Sequence, residues 1–221
     1  MAESLAKVAV RLRKAFGSAT VDTYTLNRVY LMAVTEMLEK YGYPATALRL
    51  FEWGYAMGHA YMLKLERELE KLKPEPKVTR MVAWLAWYMF SGTKPKIEQR
   101  VIPEPGFPYP VSVTYVRDPN SPWDQEIFLG EYRRASHYPA GAYEAAGNTY
   151  GVLVTKGAIR TLARITKAIS AGDKYTELAF VTVPAQLASE DYIESLVPGF
   201  FSEIPFKKSQ ELYEKYFGIK W

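Results

Sequence analysis

Apolar residues recur at three- and four-residue spacing through roughly the first ninety positions of this chain, and in two later stretches the recurrence shortens to every second residue. The first period belongs to helices with one buried face, the second to strands. Leu5, Val8, Leu12 and Phe16 predict a first helix. Thr20 or Asp22 can cap a second, in which Leu26, Val29, Tyr30, Ala33, Met37 and Leu38 repeat until Gly42 stops it. Pro44 opens a third, long helix from Ala45 to about Leu72. It turns Leu48, Phe51, Tyr55, Met62, Leu65 and Leu69 inward and Arg49, Glu52, His59, Glu66 and Glu70 outward. After the Lys-Pro-Glu-Pro break at 73–76, Val78 to Phe90 is apolar nearly all round, the pattern of a helix buried on most sides.

Beyond Ser91-Gly92 the β-branched residues take over. Lys96 to Ile102 and Val111 to Val116 predict a hairpin around a proline-rich connection that can continue neither strand. Trp123 to about Tyr132 is predicted helical. A run of small residues from Ala140 to Ala146 leads into another helix around Tyr150-Gly151-Val152-Leu153. Ile159 to Ile169 fits a helix or a strand by period. The turn at Ala171-Gly172-Asp173 and the clear strand from Tyr175 to Val183 make it the first arm of a second hairpin. Pro184 ends this core, and short helices over Ser189–Leu196 and Ser209–Phe217 form a carboxy-terminal extension. The expected division is a single domain over 1–183 with a helical extension over 184–221.

Composition narrows the class. The longest uncharged run, Met81 to Thr93, is 13 residues, short of the roughly 18 that span a bilayer. The amino terminus lacks the continuous apolar core of a signal peptide. A soluble, cytoplasmic protein is therefore expected. There is no cysteine, which removes disulfides, thiolate metal sites and thiol nucleophiles together. Scarce asparagine and glutamine suggest a thermophilic source. The net charge of +4 is uneven: residues 1–100 hold 16 lysines and arginines against 10 acidic residues. Lys7, Arg11, Arg13 and Lys14 ring the apolar stripe of the first helix. That pattern fits peripheral contact with an anionic membrane surface, or an ordinary solvated packing helix. No basic run interleaved with aromatic residues is present, so nucleic acid is not expected as a partner.

Two glycine-bearing segments carry more information. Gly54-Tyr55-Ala56-Met57-Gly58 places two glycines about one turn apart in a long helix, at roughly 1 kcal/mol each relative to alanine. Close approach of another backbone is the usual compensation. The second is Gly172-Asp173-Lys174-Tyr175-Thr176-Glu177-Leu178, preceded by Gly151-Val152-Leu153 and Gly157-Ala158-Ile159. Their order, together with Tyr88 to Pro95 as a helix exit into the first strand, resembles the small subunits of the transport protein particle, TRAPP, over roughly residues 20–183. The resemblance implies an α+β plait with helices on one face of an antiparallel sheet of about four strands. The implied order is α-α-α-α-β-β-α-β-β-α, with homo- or hetero-dimer pairing through the amino-terminal helices. It extends to the related 4-vinyl reductase domain and the aminothiazoline-carboxylate hydrolases. Some TRAPP subunits hold an acyl chain as a thioester on a cysteine, which this chain cannot do.

Candidate chemistry is sparse. Glu52, His59 and Glu66 stand two turns apart each, about 10 Å by helical rise, too far to share one metal. His137, Glu144 and Glu177 are the groups an enzyme on this fold would have to bring together. The better candidate is apolar. Trp84, Trp87, Tyr88 and Phe90, facing the notch at Gly54 and Gly58, would line a cavity between helices or simply form core. The expected lining is Gly54, Tyr55, Gly58, Trp84, Trp87 and Tyr88, with an apolar small molecule as ligand, no cofactor and no metal. The reading is a non-catalytic dimeric interaction or scaffold protein. The alternative is a small-molecule sensor or a hydrolase-like enzyme on the same fold.

Overall fold

In the computed structural model, residues 23–124 and 137–221 are described. The predicted first helix, the Thr20 and Asp22 caps and most of the predicted 123–132 helix lie outside them, as does the Phe90 side chain. The elements run α1 (Thr23–Tyr41), α2 (Tyr43–Lys64), α3 (Glu66–Leu69), α4 (Pro76–Ser91), β1 (Lys96–Ile102), β2 (Val111–Asp118), α5 (His137–Thr155), β3 (Ile159–Lys167), β4 (Thr176–Pro184), α6 (Glu190–Leu196) and α7 (Phe206–Phe217). The four strands form one antiparallel sheet in the order β1-β2-β4-β3. This is the α+β plait expected from the sequence.

Local chemistry places most boundaries. Gly42, at φ 74°, donates its N–H to Leu38 O and lets α2 start at once, with Pro44 in its first turn. Pro76 opens α4 and Gly92, at φ 74°, closes it. In the turn before β4, Gly172 takes φ 88°, and the Asp173 carboxylate accepts the Ala168 N–H at 2.9 Å. The long helix expected to run to Leu72 instead breaks at Leu65, φ −106°. The bend turns Leu69 and Leu72 onto Val78, burying all three. Among the described side chains of α1 the buried ones are Leu31, Val34, Met37 and Leu38; Met37 and Leu38 belong to the stripe read in the sequence, whereas Ala33 of that stripe is only partly buried.

The sheet is apolar on both sides. Val116, Ala163, Ile165, Leu178 and Phe180 face α2, α4 and α5. Val111, Val113, Leu162, Ala179, Val181 and Val183 face the other way, onto Ile193, Val197, Phe200, Phe201 and Phe206 of the carboxy-terminal segment. Alternation along each strand thus feeds two cores. The two edge strands differ. In β1, Lys96, Glu98 and Arg100 are exposed, whereas β3 is buried along seven of its nine residues.

Burial of β3 includes two arginines. Arg164 donates to Glu144 Oε2 at 2.6 Å, to Ile204 O at 2.9 Å and to Ser209 Oγ at 2.7 Å, beside the rings of Phe51, Phe200 and Phe201. Glu144 also accepts the Ala163 N–H. Burial pushes the Glu144 carboxyl up and the Arg164 guanidinium down, and their mutual attraction opposes both shifts. The pair therefore stitches α5, β3 and the carboxy-terminal segment together.

Candidate functional site

The largest helix–helix contact joins α2 to α5, and it is a backbone contact. A Cβ placed on Gly54 would collide with the carbonyl of Tyr138. One on Gly58 would collide with Ala142, and one on Gly141 with the carbonyl of Phe51. The glycine pair does allow the close approach its spacing suggested. The approaching helix is α5, however, not the aromatic α4 expected from the sequence, because the small face that matches the notch is the run around Ala140, Gly141 and Ala142.

The same small residues leave space on their other flank. Between α5 and α4, over the sheet, lies a partly enclosed cavity of about 180 Å³. Met57, Gly58 and Tyr61 of α2 form one wall, and Val82, Ala83 and Trp87 of α4 another. Ala142, Ala146 and Tyr150 of α5 form the third, with Ile159, Thr161, Phe180 and Thr182 as the floor. Two hydrogen bonds fix α4 beside the gap, one to the end of β2 and one to α5. Trp87 Nε1 donates to Asp118 Oδ2 at 2.7 Å, and Tyr143 donates its hydroxyl to Ala83 O at 2.8 Å. Burial holds the Tyr143 phenol well above its ordinary pKa, so it remains a neutral donor. Asp118 also accepts Thr93 Oγ1 and the Asn120 N–H, which fixes the acceptor for Trp87.

Of the six residues expected to line a cavity, Gly58 and Trp87 lie on its wall. Gly54 and Tyr55 are buried in the α2–α5 contact and the core. Trp84 and Tyr88 are 36% and 40% exposed and stack on each other, centroids 5.4 Å apart, on the outer side of α4. Helix α4 is thus not buried all round. Sequence reading missed the α5 wall, although the signal was present in the small-residue run. It also missed the floor, whose signal is a set of hydroxyl residues at strand positions that face the helices.

His59 does not lie on a solvated face either. It is half-buried, its Nδ1 is 3.0 Å from Thr149 Oγ1, and its ring meets Tyr216 and Phe217 edge-on. Thr149 donates its one proton to Ala145 O at 2.8 Å, so Nδ1 is the donor in the His59 bond. Glu52 pairs with Lys208. Nor do His137, Glu144 and Glu177 converge. His137 contacts Glu203 and Tyr43, Glu144 is held by Arg164, and Glu177 bonds Arg117 on the sheet face away from α5. Among the described residues no group of three or more histidines and carboxylates is placed to hold a metal ion. No helix among them is long and apolar enough to cross a membrane.

No family model matches the sequence, and no curated protein matches it either. Solved structures do. A trafficking protein particle complex subunit 3 from Naegleria fowleri, covalently bound to palmitic acid, superimposes with a TM-score of 0.51 at 19% identity, over 74% of this chain and 96% of that one. The phenol-responsive sensory domain of the transcription activator PoxR, with phenol, gives 0.52 at 12% identity, over 80% of each chain. The chain has a TRAPP-like fold. In this TRAPP-like fold the glycine notch of α2 receives α5, and the cavity sits between these two helices and α4.

Proposed function

We propose that this protein is a small-molecule-binding module that takes an apolar ligand into the cavity between α2, α4 and α5, and that it acts as an interaction protein without chemistry of its own. The observation that carries this reading is the cavity: about 180 Å³ of space walled mainly by aliphatic and aromatic side chains. An apolar cavity of about 150 Å³ is enough to admit benzene and to exclude water. A single ring with a short substituent fits this volume. The two neighbours named above each carry a largely apolar molecule, palmitic acid in one and phenol in the other, which supports the reading by fold analogy. With no cysteine in the chain, the ligand is held without a thioester. The reading covers a sensor as well as a scaffold. Residues 184–221 serve in it as the cover of the sheet's second face.

Protein purified without detergent, extracted with organic solvent and titrated with p-xylene, tests this. We expect either an extractable apolar molecule or a rise in melting temperature with p-xylene. Ala146→Phe, which projects a ring into the cavity, should abolish the response. A protein that yields no extract and ignores p-xylene would exclude the reading.

A further inference from the structure

The floor of the cavity is not uniformly apolar. Strand register places Ser112, Thr182 and Thr161 side by side across β2, β4 and β3: Ser112 pairs with Thr182, and Thr182 with Thr161. These positions share the inward parity of Phe180 and Leu178 on β4 and of Ala163 and Ile165 on β3, all of which pack beneath the helices. A Cβ on Gly147 of α5 would strike the Thr161 side chain, which places that side chain on the helix side. The row therefore runs under the helices, on a largely apolar face whose other buried threonines, Thr114 and Thr176, are already bonded to Gln99 and Asp124. The Thr161 and Thr182 hydroxyls lie 3.1 Å apart.

Thr161 and Thr182 line the cavity, and Thr182 also lines a smaller hollow next to it, which Ser112 borders from the far side. Thr79 and Tyr150 stand at the same junction, on the walls of both spaces. Their hydroxyls are weakly held. Tyr150 donates to Leu72 O at 3.4 Å and Thr79 to Glu75 O at 3.5 Å, long for an O–H···O bond. Burial raises the Tyr150 pKa, so its proton stays on.

A threonine hydroxyl has one proton and two lone pairs. In the Thr161–Thr182 pair one proton is spent on the mutual bond, which leaves one proton and several lone pairs for a third group. The backbone of Thr161 does not compete, because Asn148 satisfies both its N–H and its C=O at 2.9 Å. Among the described residues no lysine or arginine lines the cavity, and Glu68 is the one charged residue that does. A carboxylate would thus be buried there without a counter-charge, which is costly. A neutral hydroxyl or carbonyl would not.

We infer that the Thr161–Thr182 pair, at the junction with Thr79 and Tyr150, is a seat for a single uncharged polar group. The ligand class is then an apolar body bearing one hydroxyl or carbonyl. This rests on the cavity reading above and adds orientation and selectivity to it. The seat is on the floor of the cavity, so the polar group points toward β3 and β4 while the apolar body lies along Met57, Val82 and Ala146.

The test uses three probes of nearly one shape, p-xylene, p-cresol and 4-methylbenzoate, titrated by calorimetry into the wild type, Thr182→Val and Thr161→Val, with thermal melts as the check that each variant is folded. In a purely apolar pocket p-xylene would bind the tightest. We expect wild type to bind p-cresol at least as well as p-xylene and 4-methylbenzoate the most weakly. At least one valine variant should shift the p-cresol to p-xylene ratio about tenfold toward p-xylene, the size of one hydrogen bond, with p-xylene affinity kept. An unchanged ratio in both folded variants overturns the seat, as does tightest binding of 4-methylbenzoate. Failure of all three probes on wild type instead overturns the cavity reading itself. If one variant fails to fold, the ratio in the other decides.

Discussion

Among single residues His59 is the one whose surroundings give a pH signature. Half-buried among Thr149, Tyr216 and Phe217, it has a pKa held by burial below its ordinary 6.5. Unfolding exposes the ring and restores that value, so the unfolded chain takes up the proton first as pH falls. The stabilising effect of a neutral His59 is complete above 6.5 and declines as pH drops through the lowered folded value. The melting temperature of wild type should therefore fall more between pH 7.5 and 5 than that of His59→Gln, which keeps a donor for Thr149. Equal slopes in the two proteins would remove His59 from the account. By sequence this histidine groups with the charged stripe of Glu52 and Glu66 at seven-residue spacing, although, four residues after Tyr55, it also borders the buried face. Thr149 of α5 and the rings of Tyr216 and Phe217 on the returning α7 cover it, and covering elements so distant in sequence leave no mark on local periodicity.

At the scale of elements, the α2–α5 contact is the joint on which the site depends. Its close approach is set by glycines on both helices. Gly54→Ala should force the two apart and, as overpacking, destabilise by about 1–3 kcal/mol in denaturant titration, even though alanine favours a helix. A neutral or stabilising outcome would mean that the helices are not in backbone contact. The need for a close approach was legible in the spacing of Gly54 and Gly58. The identity of the partner was not. Trp84 and Tyr88 drew attention to α4 because bulky aromatic residues signal burial on average, yet they stack on each other at the surface. The small residues of α5, which carry little hydrophobic signal, make both the joint and the cavity.

For the whole molecule, both hairpins could be read from alternation and turn residues, and the observed β1 coincides with the predicted Lys96 to Ile102; the sheet order could not, because neither signal says which hairpin strands become neighbours. Burial of the sheet's second face under residues 193–206 could not, because short helices with apolar loops between them fit either a core or a surface tail. Pairing of two copies through the amino-terminal helices is a proposal at this scale. Met32 of α1 and Trp53 of α2, 65% and 51% exposed, supply apolar surface there. Light scattering at micromolar concentration should give about twice the 25.2 kDa of one chain, and a clean monomer would overturn the proposal.

The unlike edges of the sheet bear on how copies of this chain avoid sticking to one another. An open edge strand offers its free N–H and C=O groups to any other chain, the common route to aggregation. The edge at β3 is closed, since its arginines are tied to the carboxy-terminal segment at Ile204, Ser209 and Lys220. The edge at β1 is open but guarded: Lys96, Glu98 and Arg100 alternate along it between Pro95 and Pro103. A strand added there would crowd those charges and meet a residue without an N–H at each end. Self-association by strand addition is disfavoured on both sides, and contact between copies is left to the helices.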